Sequence, residues 1–561
     1  MPSTGSPSSG EGRGPTGFCA DSNLGIWLTE TGGRFHPGLV FGAGSSIADQ
    51  GERAGAAARD MGLSVWADAP INKHDVLASC PAQAIIDRNH SLDRIAKLVA
   101  RLRHSDNDKS LPVWPDPDSI DAFFLGFLDR TVVSFYLILT KLSLRLKSRR
   151  PSAQEAEEDP SLVGPLTELF SFHEEYVRLL PEAEQLMTPL FWNDAELDRV
   201  RSTSLLPSVD QQRQLWTSEY ESLILGEKIR GLSDDLHAFI RQHVTCLDYF
   251  WANTIVNSRS FPSTLLLAPS SSNNPDRAHS QRPSSAAPNE SAPILLPGVD
   301  IFNHKRGSKV EWRSVPLDSL HLKSIEIVSL ENQIPRGEQV FNNYGPKSTG
   351  ELILGYGFAL GEEDWKKSGG DQEETMVMNP DDFYPIKLSE PEEEQAYSPL
   401  IREIFSRFKP DGLLHHVRRD GQIPSLLMGQ LRISMISSDE DLLLASNRLQ
   451  DHLLLPPESF LDTFHTAMAH KLSWENELNC IDCLASLVKF RLNQLLDSHP
   501  FLPDADWDAQ VRTPVKRMIQ IYLNGQVQIL KELLKVTENT FQIAIENARA
   551  DGFHFDSDDD D

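Results

Sequence analysis

Leu296-Pro297-Gly298-Val299-Asp300-Ile301-Phe302-Asn303-His304 is the stretch on which the reading of this chain turns. It follows a run from Ala268 to Pro293 that is rich in Ser, Asn and Pro and has no means of forming a core. Order returns abruptly at Ile294, and Ile294-Leu295-Leu296 reads as a strand. A second segment stands downstream: Gly337-Glu338-Gln339-Val340-Phe341-Asn342-Asn343-Tyr344-Gly345, then Ser348 through Glu351 and Leu354-Gly355-Tyr356-Gly357-Phe358. A third, Asn257-Ser258-Arg259-Ser260-Phe261, stands upstream. Taken singly, each has an ordinary reading. Asn-His makes a turn with a satisfied histidine, and Tyr-Gly-Phe makes core.

Outward from these segments the chain changes character several times. Residues 1–17 are Ser/Gly/Pro-rich and expected to be disordered, without the apolar core of a signal peptide. From Asn23 to Asp87 the pattern is short and strand-like, with Gly42 to Ala58 as a Gly/Ala/Ser-rich loop. From Ile120 to Leu146 the apolar spacing turns helical. Lys147 to Pro160 reads as a charged linker, and helical segments broken near Pro181 and Pro207 follow to about Asn257. Ile325 to Val328 reads as a strand. After about Pro391 the pattern is helical throughout, with a long amphipathic helix over Val527 to Ala548 and an acidic tail over residues 551–561.

The 561 residues suffice for several domains and a buried core. With 53 basic against 81 acidic side chains the net charge is −28, which repels phosphate and argues against a general nucleic-acid-binding face. Five cysteines exclude a disulfide-rich scaffold and suit a reducing compartment. The most apolar segment, Thr131 to Leu139, is shorter than the ~20 residues a membrane span needs. No Walker-type loop, GxGxxG, HExxH or GxSxG occurs. Cys480-Ile481-Asp482-Cys483 is a lone CxxC in a helical pattern, and zinc needs four ligands. It reads as small residues of a helix face. His415-His416 are adjacent, point apart on a helix and make a poor metal pair, so no metal is expected.

Together and in this order, the three segments resemble a SET-domain methyltransferase, of the Rubisco large-subunit lysine methyltransferase branch. Trp27-Leu28 with Gly32-Gly33 resembles the family's opening helix and turn, and Gly62-Leu63-Ser64-Val65-Trp66-Ala67 its cofactor loop, normally GxGLxA. Ser64 stands where a second glycine is usual, and a Cβ there restricts φ and takes space. Thr188-Pro189-Leu190-Phe191-Trp192 resembles part of the family's helical insertion. The resemblance is clear over Asn23–Asp87 and Cys246–Leu360. It fails across Gly42–Ala58 and Ala268–Pro293, which look like insertions.

The resemblance implies an α+β fold. A β-rich SET core over 18–360 would carry a helical insertion at about 120–257 and a low-complexity loop at 268–293. An all-helical C-terminal domain over 390–550 would help hold the substrate. The implied cofactor is S-adenosyl-L-methionine and the implied activity protein-lysine N-methylation. Tyr344 is the implied catalytic residue. Met61, Leu63, Arg259, Asp300, Asn303, His304 and Phe358 are implied for the cofactor: Arg259 for its carboxylate, Asn303-His304 and Phe358 for its adenine. Phe261 and Tyr356 are implied as walls of the lysine channel. Trp312 is a further aromatic there by resemblance, although its surroundings favour a core position.

The expected partner is a non-histone protein, including a basic ribosomal protein, with neither nucleic acid nor a membrane, for a monomer in the cytoplasm or nucleus. Two rivals stand beside this reading. One is a protein-histidine methyltransferase, whose relatives look to carry Asn where Phe261 stands. The other is a catalytically silent SET scaffold that only binds protein. An intact Tyr344 with Asn303-His304 opposes the second.

Overall fold

The computed structural model describes residues 17–43, 63–103, 127–148, 160–226, 234–266, 291–318, 321–361, 379–388, 399–407, 413–497 and 510–554. The expected disordered N-terminus to residue 16, most of the loop Gly42–Ala58, most of the linker Lys147–Pro160, the low-complexity run 267–290 and the last acidic residues lie outside them. The chain divides into two compact units. The first draws on the described residues of Met1–Trp192, Val209–Pro346 and Ile353–Phe358, and the second on those of Asn193–Ser208, Lys347–Leu352 and Ala359–Asp561.

The first unit is built of small antiparallel sheets. One orders Gly17–Phe18, Leu39–Ala43 and Leu63–Ala67. Another orders Arg34–Phe35, Val76–Pro81, Leu322–Ser329 and Val310–Pro316. Leu322–Ser329 is central and buried over most of its length, with Ile325 and Ile327 in the core. Val310–Pro316 is its edge neighbour and alternates half-buried with exposed residues, as a strand with one wet face does. The opening helix Asn23–Glu30 is capped by Ser22, whose side chain accepts from the Gly25 N–H at 3.0 Å.

The insertion is helical, as its apolar spacing predicts. Its central helix, Asp129–Ser148, buries Val132, Val133, Phe135, Tyr136, Leu137, Ile138 and Leu139. The segment Thr131 to Leu139 is thus core. Among the described residues no helix is long and apolar enough to cross a membrane. Against it lies Cys246–Arg259, begun by a capping box in which the Asp248 N–H donates to Thr245 Oγ1 at 3.2 Å and the Thr245 N–H to Asp248 Oδ2 at 2.9 Å. That cap sets the helix start, and the helix ends on Arg259, a residue of the site described below.

The second unit is mostly helical. The long helix Thr513–Ala550 extends well beyond the expected Val527–Ala548 and packs along Trp474–Asp497. Arg432 grips Glu477 through two bonds of 2.7 Å and donates to the Met468 carbonyl. One expectation is corrected here: the chain after Pro391 is not helical throughout. Leu414–Arg418 is a strand paired antiparallel with Phe383–Lys387. His415 and His416 therefore point to opposite faces of a ribbon: His415 is buried against Gln430 Oε1 at 2.6 Å and His416 is exposed. Cys480 is buried on a helix face and Cys483 half-buried. Among the described residues no group of three or more His, Cys, Asp or Glu is placed to hold a metal.

Candidate active site

Two of the segments lie side by side in the first unit. The Asn342 N–H donates to the Asn303 carbonyl at 2.8 Å, and the Lys305 N–H to the Asn342 carbonyl at 3.0 Å. His304 and Asn342 form a parallel bridge. Asn303 Nδ2 reaches Leu63 O at 3.2 Å and so ties this crossing to the strand Leu63–Ala67. The side-chain amides explain why Asn sits at 303 and 342: Asn303 Nδ2 donates to the Leu63 carbonyl, and Asn342 Oδ1 accepts from the Trp312 indole N–H and the Asn343 N–H.

The aromatic groups stack upon this crossing. His304 is buried and lies parallel to Tyr344, with centroids 4.9 Å apart. The Tyr344 N–H donates to His304 Nδ1 at 3.0 Å, so Nδ1 is an acceptor. Tyr356 stacks on Tyr344 at 5.1 Å, and Phe358 lies edge-on to Tyr356 at 6.2 Å and 6.3 Å from His304. The Tyr344 hydroxyl donates to the Phe302 carbonyl at 2.9 Å, which leaves its oxygen lone pairs as acceptors. Burial pushes the Tyr344 phenol well above its usual range, with Arg259 pulling the other way. Tyr344 is therefore a neutral phenol at physiological pH.

Phe261 is buried, edge-on to Trp312 with centroids 4.9 Å apart. Trp312 is only half-buried, on the edge strand Val310–Pro316, and its Nε1–H donates to Asn342 Oδ1 at 3.0 Å. The expectation that Trp312 is a core residue is corrected: an edge strand gives it one wet face.

Arg259 Nη1 donates to the Asp300 carbonyl at 3.1 Å and lies 3.6 Å from its carboxylate, whose own side chain is fully buried. Asp300 Oδ2 accepts from Tyr176 at 2.6 Å. Burial raises the Asp300 pKa, and Arg259 and Tyr176 oppose this. Asp300 thus faces Arg259 and the insertion. The Arg259 side chain is 25% exposed, and no other acceptor meets its guanidinium among the described residues.

Met61 lies outside the described residues, and Leu63 enters through its carbonyl. The backbone at Ser64 is ordinary extended strand, so its Cβ meets no restriction of φ there. Ser64 lies opposite Gly42, and its buried hydroxyl donates to Gly42 O at 2.6 Å while accepting from Trp66 Nε1 at 2.8 Å. Phe302, Asn342 and Tyr176 also hold the site together. Asn342 and Phe302 belong to the quoted motifs. Tyr176 sits on the short helix Glu174–Leu179 and carries no signal beyond helical spacing.

No family model matches the chain. Solved structures do. The SET domain of LSMT bound to lysine and AdoHcy superposes with a TM-score of 0.58 at 16% identity, over 93% of this chain and 92% of that one. This chain has the SET fold. Rubisco LSMT bound to sinefungin and monomethyllysine gives a TM-score of 0.57 at 17% identity, over 93% and 92% of the two chains. In sequence, this SET chain is 25% identical over 379 residues to the ribosomal lysine N-methyltransferase set10 of Schizosaccharomyces pombe, covering 66% of this chain and 55% of that protein. It is 28% identical over 211 residues to ribosomal lysine N-methyltransferase 1 of Saccharomyces cerevisiae, covering 33% and 32%. The SET chain thus spans about half or less of the length of these curated relatives.

Proposed function

We propose that this chain is an S-adenosylmethionine-dependent protein-lysine N-methyltransferase acting on a non-histone protein, with a ribosomal protein as the substrate to try first. The observation that carries the reading is Tyr344. It is a neutral buried phenol, fixed by the Phe302 carbonyl, stacked with His304 and with Tyr356 and within electrostatic reach of Arg259. The names of the curated relatives support the lysine chemistry and the ribosomal substrate.

The residues fit such a cofactor. Arg259 is a partly open cation with unused N–H donors, which suits a carboxylate. His304 and Phe358 offer ring faces and edges for a purine, and Asn303 and Leu63 hold the backbone around it. When bound, the cofactor supplies a methyl carbon made electrophilic by a sulfonium.

The chain's own groups have three tasks. The first is to favour the neutral amine, since a free lysine has a pKa of about 10.4. Phe261, Trp312 and Tyr356 are aromatic walls that desolvate an ammonium and so lower its pKa. The second is alignment, which supplies much of the rate in a displacement. The Tyr344 oxygen, its proton committed to Phe302 O, can accept from the amine and from a polarised methyl group. The third is proton removal. A phenol held neutral by burial is a poor base, so the lysine proton leaves to water.

The buried Phe261 at the channel wall favours lysine over histidine, because an apolar wall offers an imidazole no hydrogen bond. The mostly helical second unit is assigned the holding of the protein substrate, and a cytoplasmic or nuclear location fits a ribosomal one. Incubating purified chain with methyl-labelled S-adenosylmethionine and a ribosome-rich extract, then hydrolysing the protein, tests the reading. Label in methyllysine is expected. Label in methylhistidine supports the rival, and no label together with no cofactor binding overturns both.

A further inference from the structure

Tyr176 belongs to the helical insertion, remote in sequence from every motif of the site. Its side chain is completely buried, and its hydroxyl donates to Asp300 Oδ2 at 2.6 Å. That distance is ordinary for a hydroxyl donating to a carboxylate, a charge-assisted bond about twice as strong as one between neutral groups. Asp300 in turn lies between this phenol and Arg259. A chain of three side chains therefore runs from the insertion to the site, and only its last member, Arg259, is partly open.

We propose that Tyr176 is a positioning residue for cofactor binding: its hydroxyl holds Asp300 as an oriented anion, and Asp300 holds the Arg259 fork toward the cofactor carboxylate. The proposal rests on the reading of Arg259 as a cofactor ligand given above.

A buried carboxylate tends to take up a proton, and burial does raise the Asp300 pKa. The charged and titratable groups that face it are Arg259 from the helix Cys246–Arg259, Tyr176 from the insertion, Tyr344 from the crossing and Cys80 from the strand Val76–Pro81. Arg259 and Tyr176 favour the anion. Cys80 and Tyr344 are themselves pushed up by burial and stay neutral. Among the described residues, Tyr176 is thus the one neutral side chain that donates a hydrogen bond to the carboxylate from outside the motifs. Without its hydroxyl, Asp300 protonates at higher pH, attracts the guanidinium less and lets it swing. A tyrosine that served only to fasten the insertion would affect stability and leave cofactor affinity alone.

Calorimetric titration of the full chain with S-adenosylhomocysteine, at mildly acidic and mildly basic pH, separates these roles. The proteins are wild type, Tyr176→Phe and Arg259→Ala. Tyr176→Phe is expected to bind about tenfold more weakly at the acidic pH and less so at the basic one. Equal affinity for Tyr176→Phe and wild type overturns the proposal and leaves the reading of Arg259 standing, whatever happens to the melting temperature. Wild type that does not bind, or Arg259→Ala that binds like wild type, overturns that reading and the proposal with it. Should Tyr176→Phe not fold, Asp300→Asn carries the test, because it keeps an acceptor for the tyrosine and removes the charge. Weaker binding at both pH values supports the proposal, and unchanged binding overturns it.

Discussion

The Tyr344 hydroxyl donates to the carbonyl oxygen of Phe302 at 2.9 Å. Phe302 immediately precedes the Asn303-His304 pair, so the same short segment that ties the crossing together also aims the phenol. This bond adds a side-chain tie to the backbone bonds that already join the two motifs.

Arg259→Ala is expected to weaken cofactor binding and also to destabilise the fold, because it strands the Asp300 carboxylate. Charge-assisted hydrogen bonds contribute roughly 1.5–3 kcal/mol, which is about ten- to a hundredfold in affinity. The stability loss carries a sign. The folded-state pKa of Asp300 is already raised, and loss of Arg259 raises it further. The folded state then holds a proton that the unfolded chain has released, so stability falls as pH rises through the folded pKa. Denaturant unfolding should show a larger deficit at neutral pH than at mildly acidic pH. Equal deficits at both would count against the pairing.

Ser64→Ala should cost about 1–3 kcal/mol, since it leaves the Gly42 carbonyl and the Trp66 indole N–H without their buried partner. Urea unfolding measures this. A variant as stable as wild type would show that water replaces the hydroxyl.

Gly357→Ala should lower both stability and cofactor affinity. Gly357 has φ +75, and an added Cβ would lie 2.7 Å from the Thr188 backbone nitrogen. Left-handed backbone alone costs a non-glycine residue about 1–2 kcal/mol. Relief of the overlap must move Tyr356 or Phe358, the chain neighbours of Gly357 that flank Tyr344 and His304. Melting temperature and calorimetry read the two effects, and wild-type values for both would sink the argument.

Deleting residues 270–290 should leave folding and methyl transfer nearly unchanged. The ends of that segment are already joined: Phe261 pairs with Ile294, Pro262 with Pro293, and the Ser263 N–H donates to the Ala292 carbonyl at 2.9 Å. Loop-closure entropy changes only slowly with length. A large fall in melting temperature together with lost activity would show that the segment packs or binds.

The site was legible where its chemistry is written in adjacent residues. Asn303-His304 and Tyr344 carry side chains whose backbone neighbours also bond, so the motif is both chemical and local. Trp312 was not legible, because a tryptophan on an edge strand and one in a core share the same composition and spacing. Tyr176 was hidden for a different reason. A tyrosine on an amphipathic helix reads as packing, and only the fold brings its hydroxyl to Asp300. In the C-terminal region the strand Leu414–Arg418 was masked by its setting among helices, where a short run of five residues holds too few periods to separate a helix from a ribbon.

Methyl transfer by Tyr344→Phe beside wild type, with cofactor affinity measured on the same preparations, tests the central claim most directly. The variant keeps the ring that stacks on His304 and Tyr356 and loses the oxygen to which the proposed chemistry is assigned. Incorporation of labelled methyl groups into lysine should fall on the order of a hundredfold, as misplacement of a reacting group costs, while calorimetric affinity stays near that of wild type. Near-normal turnover by Tyr344→Phe would contradict the account.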